Sequence, residues 1–318
     1  MPLYPPIEPY QVGMLAVGCG HEIYYEVSGN PDGKPVVCLH GGPGSGSHPS
    51  TRQFFDRERY CIIQFDQRNC GNSTPHASDP DIDLSTNTTH HLIEDIEALR
   101  HHLNIKQWML FGVSWGSTLA LAYAQAHPQH VTDILLVGVT MTRQSEIDWL
   151  YEGLKAPYPQ QWYDFFNHIP ETLQQLKPID AYHHLLNVQE DLAVRTAAAK
   201  IFHEWEWASV SVDPAAQPSG RWLDPKFQLA RARICTHYFH HQAWLSGDSL
   251  LENAHKLSDI RGILINGRLD LMSPLITAWD LHQVWANSDL VIVENAGHST
   301  GDGGMAEAIT TATKRLSQ

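Results

Sequence analysis

Short apolar runs without a polar break recur along the first 140 positions, each closed by turn residues. Segments 35–40, 60–65 and 108–113 are of this kind, apart from His40 at the end of the first and Gln64 within the second. A strand buried on both faces reads as such a run, because neither side of the pleat meets water. Segment 22–27 (Glu-Ile-Tyr-Tyr-Glu-Val) is rich in β-branched and aromatic residues and is followed by Gly29-Asn-Pro-Asp-Gly33, a turn signal. Between Thr88 and Leu103 the period changes. Leu92, Ile93, Ile96, Leu99 and Leu103 recur at helical spacing. Positions 119–126 predict an Ala/Leu-rich helix, and 133–139 another buried strand. Strand and helix in alternation predict a mostly parallel sheet with helices on both faces.

The pattern breaks after about Met141. From there to about Ser246 the chain is rich in Trp, Tyr, His and Gln and reads as helices and loops. Strand signals return at 262–266 and 290–294, and the last fifteen residues predict a closing helix. The expected organisation is an α/β core formed by residues 1–140 and 247–318, with residues 141–246 inserted as a helical cap. Ligands of open α/β sheets bind at the carboxyl ends of the strands, where such an insertion would cover them. At roughly 150 residues per domain, the 318-residue length suits this division.

Composition excludes several classes. The formal charge of −14 argues against a broad nucleic-acid or anionic-membrane footprint. With 42% hydrophobic and 18% charged residues, the chain has enough apolar material for a packed core. No basic-then-apolar leader is read at the N-terminus and no apolar run is long enough to span a membrane. Five cysteines without a CxxC spacing argue against a disulfide framework or structural zinc, and the expectation is reduced thiols in the cytoplasm. A homo-oligomer is left open.

Gly112-Val-Ser-Trp-Gly116 follows one predicted strand and precedes a helix. A G-x-S-x-G there is a nucleophile elbow, which lifts Ser114 off the sheet. A serine hydroxyl needs a base, and the base needs an orienting carboxylate. In this fold the expected chain order is Ser, acid, His. Asp270 lies just past the strand 262–266 and His298 just past 290–294, at the same sheet edge as Ser114. Activity is then expected to rise as His298 loses its proton, near a reference pKa of about 6.5. The paired histidines 90–91, 101–102, 183–184 and 240–241 lack a supporting carboxylate or cysteine spacing, so no metal is expected. His40-Gly-Gly-Pro-Gly44 follows the strand 35–39 and can aim a backbone N–H of Gly41 or Gly42 at an oxyanion, with the Trp115 N–H as second donor. Neither G-x-G-x-x-G nor a P-loop pattern occurs, so no nucleotide cofactor is expected.

The segments His40–Gly44, Phe65-Asp-Gln-Arg68, Ser73–Ala77, Asn87–Thr89 and Gly112–Ala124 together resemble prolyl aminopeptidases (proline iminopeptidases), a family of α/β-hydrolase serine peptidases with a helical cap. The resemblance implies release of N-terminal proline from small peptide or aminoacyl substrates without a metal, with Ser114, Asp270 and His298 as nucleophile, acid and base. It also implies acidic cap residues that grip the substrate's amino group. Glu206 matches one of them, and Glu204 is a second candidate. Cys235 stands where the family commonly carries another glutamate, and Thr140 where it often has an aromatic residue. Tyr151 is retained, and Asn69 replaces a usual glycine. A missing carboxylate weakens ammonium binding and a missing ring loosens a proline pocket, so these positions bear on how strictly proline is preferred. An esterase, a lactonase or a biosynthetic acyl hydrolase on the same scaffold is the alternative, and a non-catalytic binding protein of this shape is a third.

Overall fold

The computed structural model describes residues 3–210, 212–213, 215–247 and 249–318. Met1 and Pro2, where the leader was sought, lie outside them. The strands are β1 (Gln11–Gly18), β2 (His21–Gly29), β3 (Lys34–Leu39), β4 (Tyr60–Phe65), β5 (Trp108–Val113), β6 (Val131–Val137), β7 (Arg261–Gly267) and β8 (Ser288–Val293). They form one sheet in the order β1-β2-β4-β3-β5-β6-β7-β8. Pairings β1·β2 and β2·β4 are antiparallel and the remaining ones parallel.

The apolar runs are continuous because each strand supplies two cores. Val37, Leu39, Leu110, Ile134, Leu136 and Leu264 pack with Leu92, Ile96 and Leu99 of helix α1 (Thr89–His102), and with helix α2 (Trp115–Ala126). Their neighbours Val36, Cys38, Met109, Phe111, Leu135 and Ile263 point the other way, onto Phe54 and the closing helix, which carries Met305, Ile309 and Leu316. β1 was not anticipated from the sequence. It is an edge strand with Val12 and Met14 exposed and with Leu15 and Val17 only partly buried against the core, so no continuous buried run marks it as a strand.

Between β6 and β7 the regular elements among the described residues are all helical. They include α3 (Gln144–Tyr151), α4 (Pro159–Asn167), α5 (Pro178–His183), α6 (Leu192–Trp207), α7 (Pro225–His240) and the short α8 (Ser249–Glu252). The apolar faces of α3 to α7 build a core of their own, in which Tyr151, Phe165, Tyr182, Phe202 and Trp205 pack with Cys235. The Phe165 and Tyr182 rings stack 4.3 Å apart. Arg233 of α7 ties this layer to the sheet domain by donating to the carbonyls of Ala77, Asp79 and Ile82 at 2.8, 2.6 and 2.7 Å. Helices α9 (Leu275–Val284) and α10 (Met305–Leu316) complete the chain. Among the described residues no helix is long and apolar enough to cross a membrane.

The loop after β4 is fixed by a buried ion pair. Arg68 grips Asp95 of α1 bidentately, Nε to Oδ2 and Nη2 to Oδ1, both at 2.7 Å. Its remaining donors meet the carbonyls of Thr86 and Val17. Both side chains are buried. Removing one member of such a pair strands a charge without solvent, so Arg68→Met is expected to cost about 3–5 kcal/mol of unfolding free energy. Urea unfolding of the two proteins checks this, and a loss below 1 kcal/mol would show that the pair behaves as a surface bridge. Asn69 takes the left-handed backbone (φ 65°) that the family's usual glycine would suit, a conformation asparagine tolerates.

Candidate active site

The elbow is dictated by contacts no side chain could share. A Cβ on Gly112 would lie 2.3 Å from the Gly116 carbonyl oxygen, and one on Gly116 would lie 2.0 Å from the Leu39 carbonyl oxygen. Only bare backbone lets the strand–turn–helix close this tightly. Between them Ser114 sits at φ 55°, ψ −124°, a strained conformation costing about 1–3 kcal/mol. Its N–H donates to the Val137 carbonyl at 2.9 Å, which fixes the turn to β6.

Asp270 lies three residues past β7 and His298 five past β8. His298 Nδ1 and Asp270 Oδ2 are 2.9 Å apart. Asp270 Oδ1 accepts the Ser273 N–H at 2.8 Å, so the buried carboxylate is held at both oxygens. Burial opposes a charge on His298, but the carboxylate of Asp270 and its hydrogen bond outweigh it and raise the imidazole pKa above the ordinary 6.5. The pH midpoint expected from the sequence therefore moves upward. Asn266, which sequence reasoning passed over, braces the acid loop: its Oδ1 accepts the Val139 N–H at 2.8 Å and its Nδ2 donates to the Ser273 carbonyl at 3.0 Å.

Ser114 and His298 line one cavity of about 180 Å³ together with Gly41, Gly42, Trp115 and Thr140. Among the described residues no hydrogen bond joins Ser114 Oγ to His298. Such contacts tighten when substrate is bound. Gly41 lies against Ser114, since a Cβ there would be 3.8 Å from Ser114 Oγ. As the first residue of α2, Trp115 has a backbone N–H without an intrahelical partner.

The glycine loop is oriented by residues that the sequence offered only as matching letters. The Gln67 N–H donates to His40 Nε2 at 3.1 Å, which leaves His40 Nδ1–H to donate to the Gly41 carbonyl at 2.9 Å. This needs a neutral ring, and burial pushes the His40 pKa down to about 4. The Gln67 side chain bridges the His40 carbonyl and Trp115 Nε1. Asp66 accepts from the backbone and hydroxyl of Ser47, at 2.6 and 2.7 Å, and from the Asn72 N–H.

The candidate substrate residues do not all reach the cavity. Glu206 and Thr140 line it. Glu204 does not: it lies two positions away on α6, hence on the opposite face, where it is exposed and pairs with Lys200 at 3.1 Å. Tyr151 stands behind the wall and donates its hydroxyl to Glu206 Oε1 at 2.7 Å. Cys235 is buried in the helical layer, where its thiol donates to the Pro43 carbonyl at 3.1 Å and burial pushes its pKa well up. It steadies the glycine loop rather than facing the cavity. Arg231 was missed altogether. One turn before Cys235 on α7, it lines the cavity and its Nη1 donates to Glu206 Oε2. A lone arginine two residues before Arg233 gives no sequence signal of which face it takes.

Two groups among the described residues could hold a metal ion. His183 meets His240 and His241, and Glu97 meets His127 and His130, each with ligand atoms within 4.8 Å of one another. Neither lines the cavity of Ser114.

A strand-ending serine, a hydrogen-bonded His–Asp pair and a glycine loop, all at one edge of a mostly parallel sheet, define a class. Residues 34–303 match the family described as alpha/beta hydrolase fold, and the chain belongs to it. The chain is 46% identical over 316 residues to a proline iminopeptidase of Arabidopsis thaliana, covering 99% of this chain and 82% of that one. It is 43% identical to the Xylella fastidiosa proline iminopeptidase, covering 98% of each. Within the α/β hydrolases, then, it is a member of the proline iminopeptidase family. Among solved structures, the proline iminopeptidase of Mycobacterium smegmatis aligns with a TM-score of 0.66 at 16% identity, covering 96% of this chain and 97% of that one. VinJ aligns at 0.68 and 18% identity, covering 98% and 99%. At these identities the structures speak for the fold.

Proposed function

We propose that this protein is a cytoplasmic serine aminopeptidase that releases N-terminal proline from short peptides, with residues 1–140 and 247–318 as the catalytic core and 141–246 as the cap. The observation that carries this reading is the Asp270-braced imidazole of His298 opening onto the same cavity as Ser114, in a chain of this family. His298 Nε2 takes the Ser114 proton as Oγ attacks the prolyl carbonyl. The N–H of Trp115 and that of Gly41 or Gly42 receive the developing oxyanion, each donor contributing about 3 kcal/mol. His298 then protonates the leaving amine, and a water it activates hydrolyses the prolyl ester. Glu206, backed by Tyr151, faces the substrate's amino end, and Thr140 borders the ring. A cleft of about 440 Å³ meets the cavity at Gly41, Ser45 and Trp222 and suits the departing peptide.

The test is turnover of prolyl and alanyl 4-nitroanilides by wild type and Ser114→Ala. Serine-dependent release that is faster from proline than from alanine is expected. Equal rates on both would remove the proline preference, and turnover independent of Ser114 would remove the mechanism. A second reading, an esterase, lactonase or related acyl hydrolase, is favoured by one observation: with Cys235 turned away, Glu206 is the single carboxylate among the described residues lining the cavity. Faster turnover of short aryl esters than of any aminoacyl amide would select it.

A further inference from the structure

Eight of the 20 histidines stand in adjacent pairs along the chain, and the mechanism uses none of these. The fold brings members of two pairs together. His183 ends α5, His240 ends α7 and His241 caps it. The ring centres of His183 and His240 are 4.1 Å apart, those of His240 and His241 4.8 Å, and those of His183 and His241 5.7 Å. One ligand nitrogen from each lies within 4.8 Å of the other two. Three imidazoles on one tetrahedral ion, with metal–nitrogen bonds of about 2.0–2.1 Å, place their ring centres roughly 5 Å apart and their ligating nitrogens roughly 3.3 Å apart. The ring centres already have this spacing. Side-chain rotation closes the rest, which exposure leaves open to His240 and His241.

Each of those two rings presents a bare nitrogen. His240 Nδ1 lies 2.7 Å from Asp180 Oδ1, and His241 Nδ1 lies 2.9 Å from the His237 carbonyl oxygen. A carboxylate and a carbonyl only accept, so each Nδ1 carries the hydrogen and each Nε2 keeps its lone pair. Metal-ligating histidines are oriented by outer hydrogen bonds of this kind. The supporting carboxylate that the sequence spacing did not show is thus supplied between helices, from Asp180 of α5 to His240 of α7. Among the described residues Asp180 has no lysine or arginine within 4.0 Å, and the His183 side chain makes no hydrogen bond, so either of its nitrogens can serve. His237 is committed elsewhere, its Nε2 donating to the Asn87 carbonyl at 3.2 Å. The group of Glu97, His127 and His130 differs. Arg100 grips both oxygens of Glu97 at 2.9 Å, and a cation would have to displace that guanidinium.

We propose that His183, His240 and His241 form a site for a divalent transition-metal ion such as Zn²⁺, with water as the fourth ligand. Imidazole nitrogen suits Zn²⁺, Ni²⁺ and Cu²⁺, whereas Mg²⁺ and Ca²⁺ take oxygen ligands. The ion joins α5 to α7 where the helical layer rests on the sheet domain. There His237 and Tyr238 donate to Asn87, and Thr89 Oγ1 donates to the Ala243 carbonyl at 2.6 Å. It is a clamp and takes no part in hydrolysis, since none of its three ligands lines the cavity of Ser114.

The experiment titrates Zn²⁺ by calorimetry into the full chain, made without a polyhistidine tag and stripped with a chelator. One equivalent bound more tightly than about 100 μM is expected. Co²⁺ in its place should give the intense visible absorption of a tetrahedral ion. His183→Ala and His240→Ala each remove a ligand and should weaken Zn²⁺ binding about 10-fold or more, and Asp180→Asn, which keeps all three ligands and loses the brace, about 10–100-fold. His127→Ala, in the other group, should leave it unchanged. Zn²⁺ at about 100 times its dissociation constant should raise the wild-type unfolding midpoint by about 4 °C, and that of His240→Ala by much less. Midpoints measured without metal show whether each variant keeps the fold.

The absence of a one-equivalent site of that affinity overturns the proposal. An unchanged affinity in His183→Ala, His240→Ala or Asp180→Asn overturns it as well, and so does a loss of binding in His127→Ala. None of these readouts requires turnover, so the result stands apart from the aminopeptidase reading.

Discussion

Ser114→Ala is expected to lower kcat on a prolyl amide by about 10⁶-fold, down to the residual that the oxyanion donors and binding supply. The size follows from the division of labour at the site. Without the hydroxyl no acyl-enzyme forms, and His298 loses the proton it is placed to accept. The fold should be indifferent. Ser114 Oγ makes no hydrogen bond among the described residues, and the strain at φ 55° belongs to the backbone, so alanine neither adds to it nor relieves it. Unfolding midpoints of the two proteins should therefore coincide. The check is kcat under single-turnover conditions, together with labelling by a fluorophosphonate, which should mark wild type and not the variant. Retention of activity within about 10-fold would mean that another group attacks the carbonyl.

Much of this site was legible along the chain because its parts obey local rules. A G-x-S-x-G between a buried strand and a helix has one steric solution, and the contacts at Gly112 and Gly116 are that solution. Asp270 and His298 could be placed because both follow continuous apolar runs, and all such runs end at one edge of a parallel sheet. What stayed hidden depends on which face of a helix meets which neighbour. Glu204 and Glu206 are nearly adjacent, yet one is solvated beside Lys200 and the other is buried against Tyr151. Arg231 and Arg233 are likewise two positions apart on α7. One meets a carboxylate in the cavity, and the other meets carbonyls of the loop at 77–82. The docking of α7 onto the glycine loop is set by tertiary contacts such as Cys235 with Pro43, for which the sequence carries no periodic signal. Asp66, Gln67 and Arg68 were visible as a motif. Their roles, gripping the 44–47 turn, the His40 ring and Asp95, are not inferable from residue type alone.

Asp270→Asn separates the two things the carboxylate does for His298. Its negative charge, together with the hydrogen bond, raises the imidazole pKa against a burial that would lower it. The base works when neutral, so wild-type activity is lost as pH falls through that pKa, with a midpoint above about 6.5. Asparagine removes the charge and leaves the burial, so the midpoint should move to lower pH. By that change alone the variant would be the more active enzyme in acid. The second role outweighs it. Asp270 Oδ2 accepts from Nδ1, which leaves Nε2 free to take the Ser114 proton. An amide can offer its NH₂ to Nδ1 instead, stabilising the tautomer whose Nε2 already carries hydrogen. The expected result is a loss in kcat of about 10⁴-fold at the pH optimum, combined with an acidic limb displaced downward. The Ser273 N–H can still reach the side-chain oxygen at position 270, so the loop should hold its place. A pH–rate profile of both proteins from pH 4 to 9 reads the two effects separately. A drop in kcat with an unmoved limb would show that some other group sets the wild-type midpoint. A displaced limb with kcat intact would show that the tautomer is fixed elsewhere.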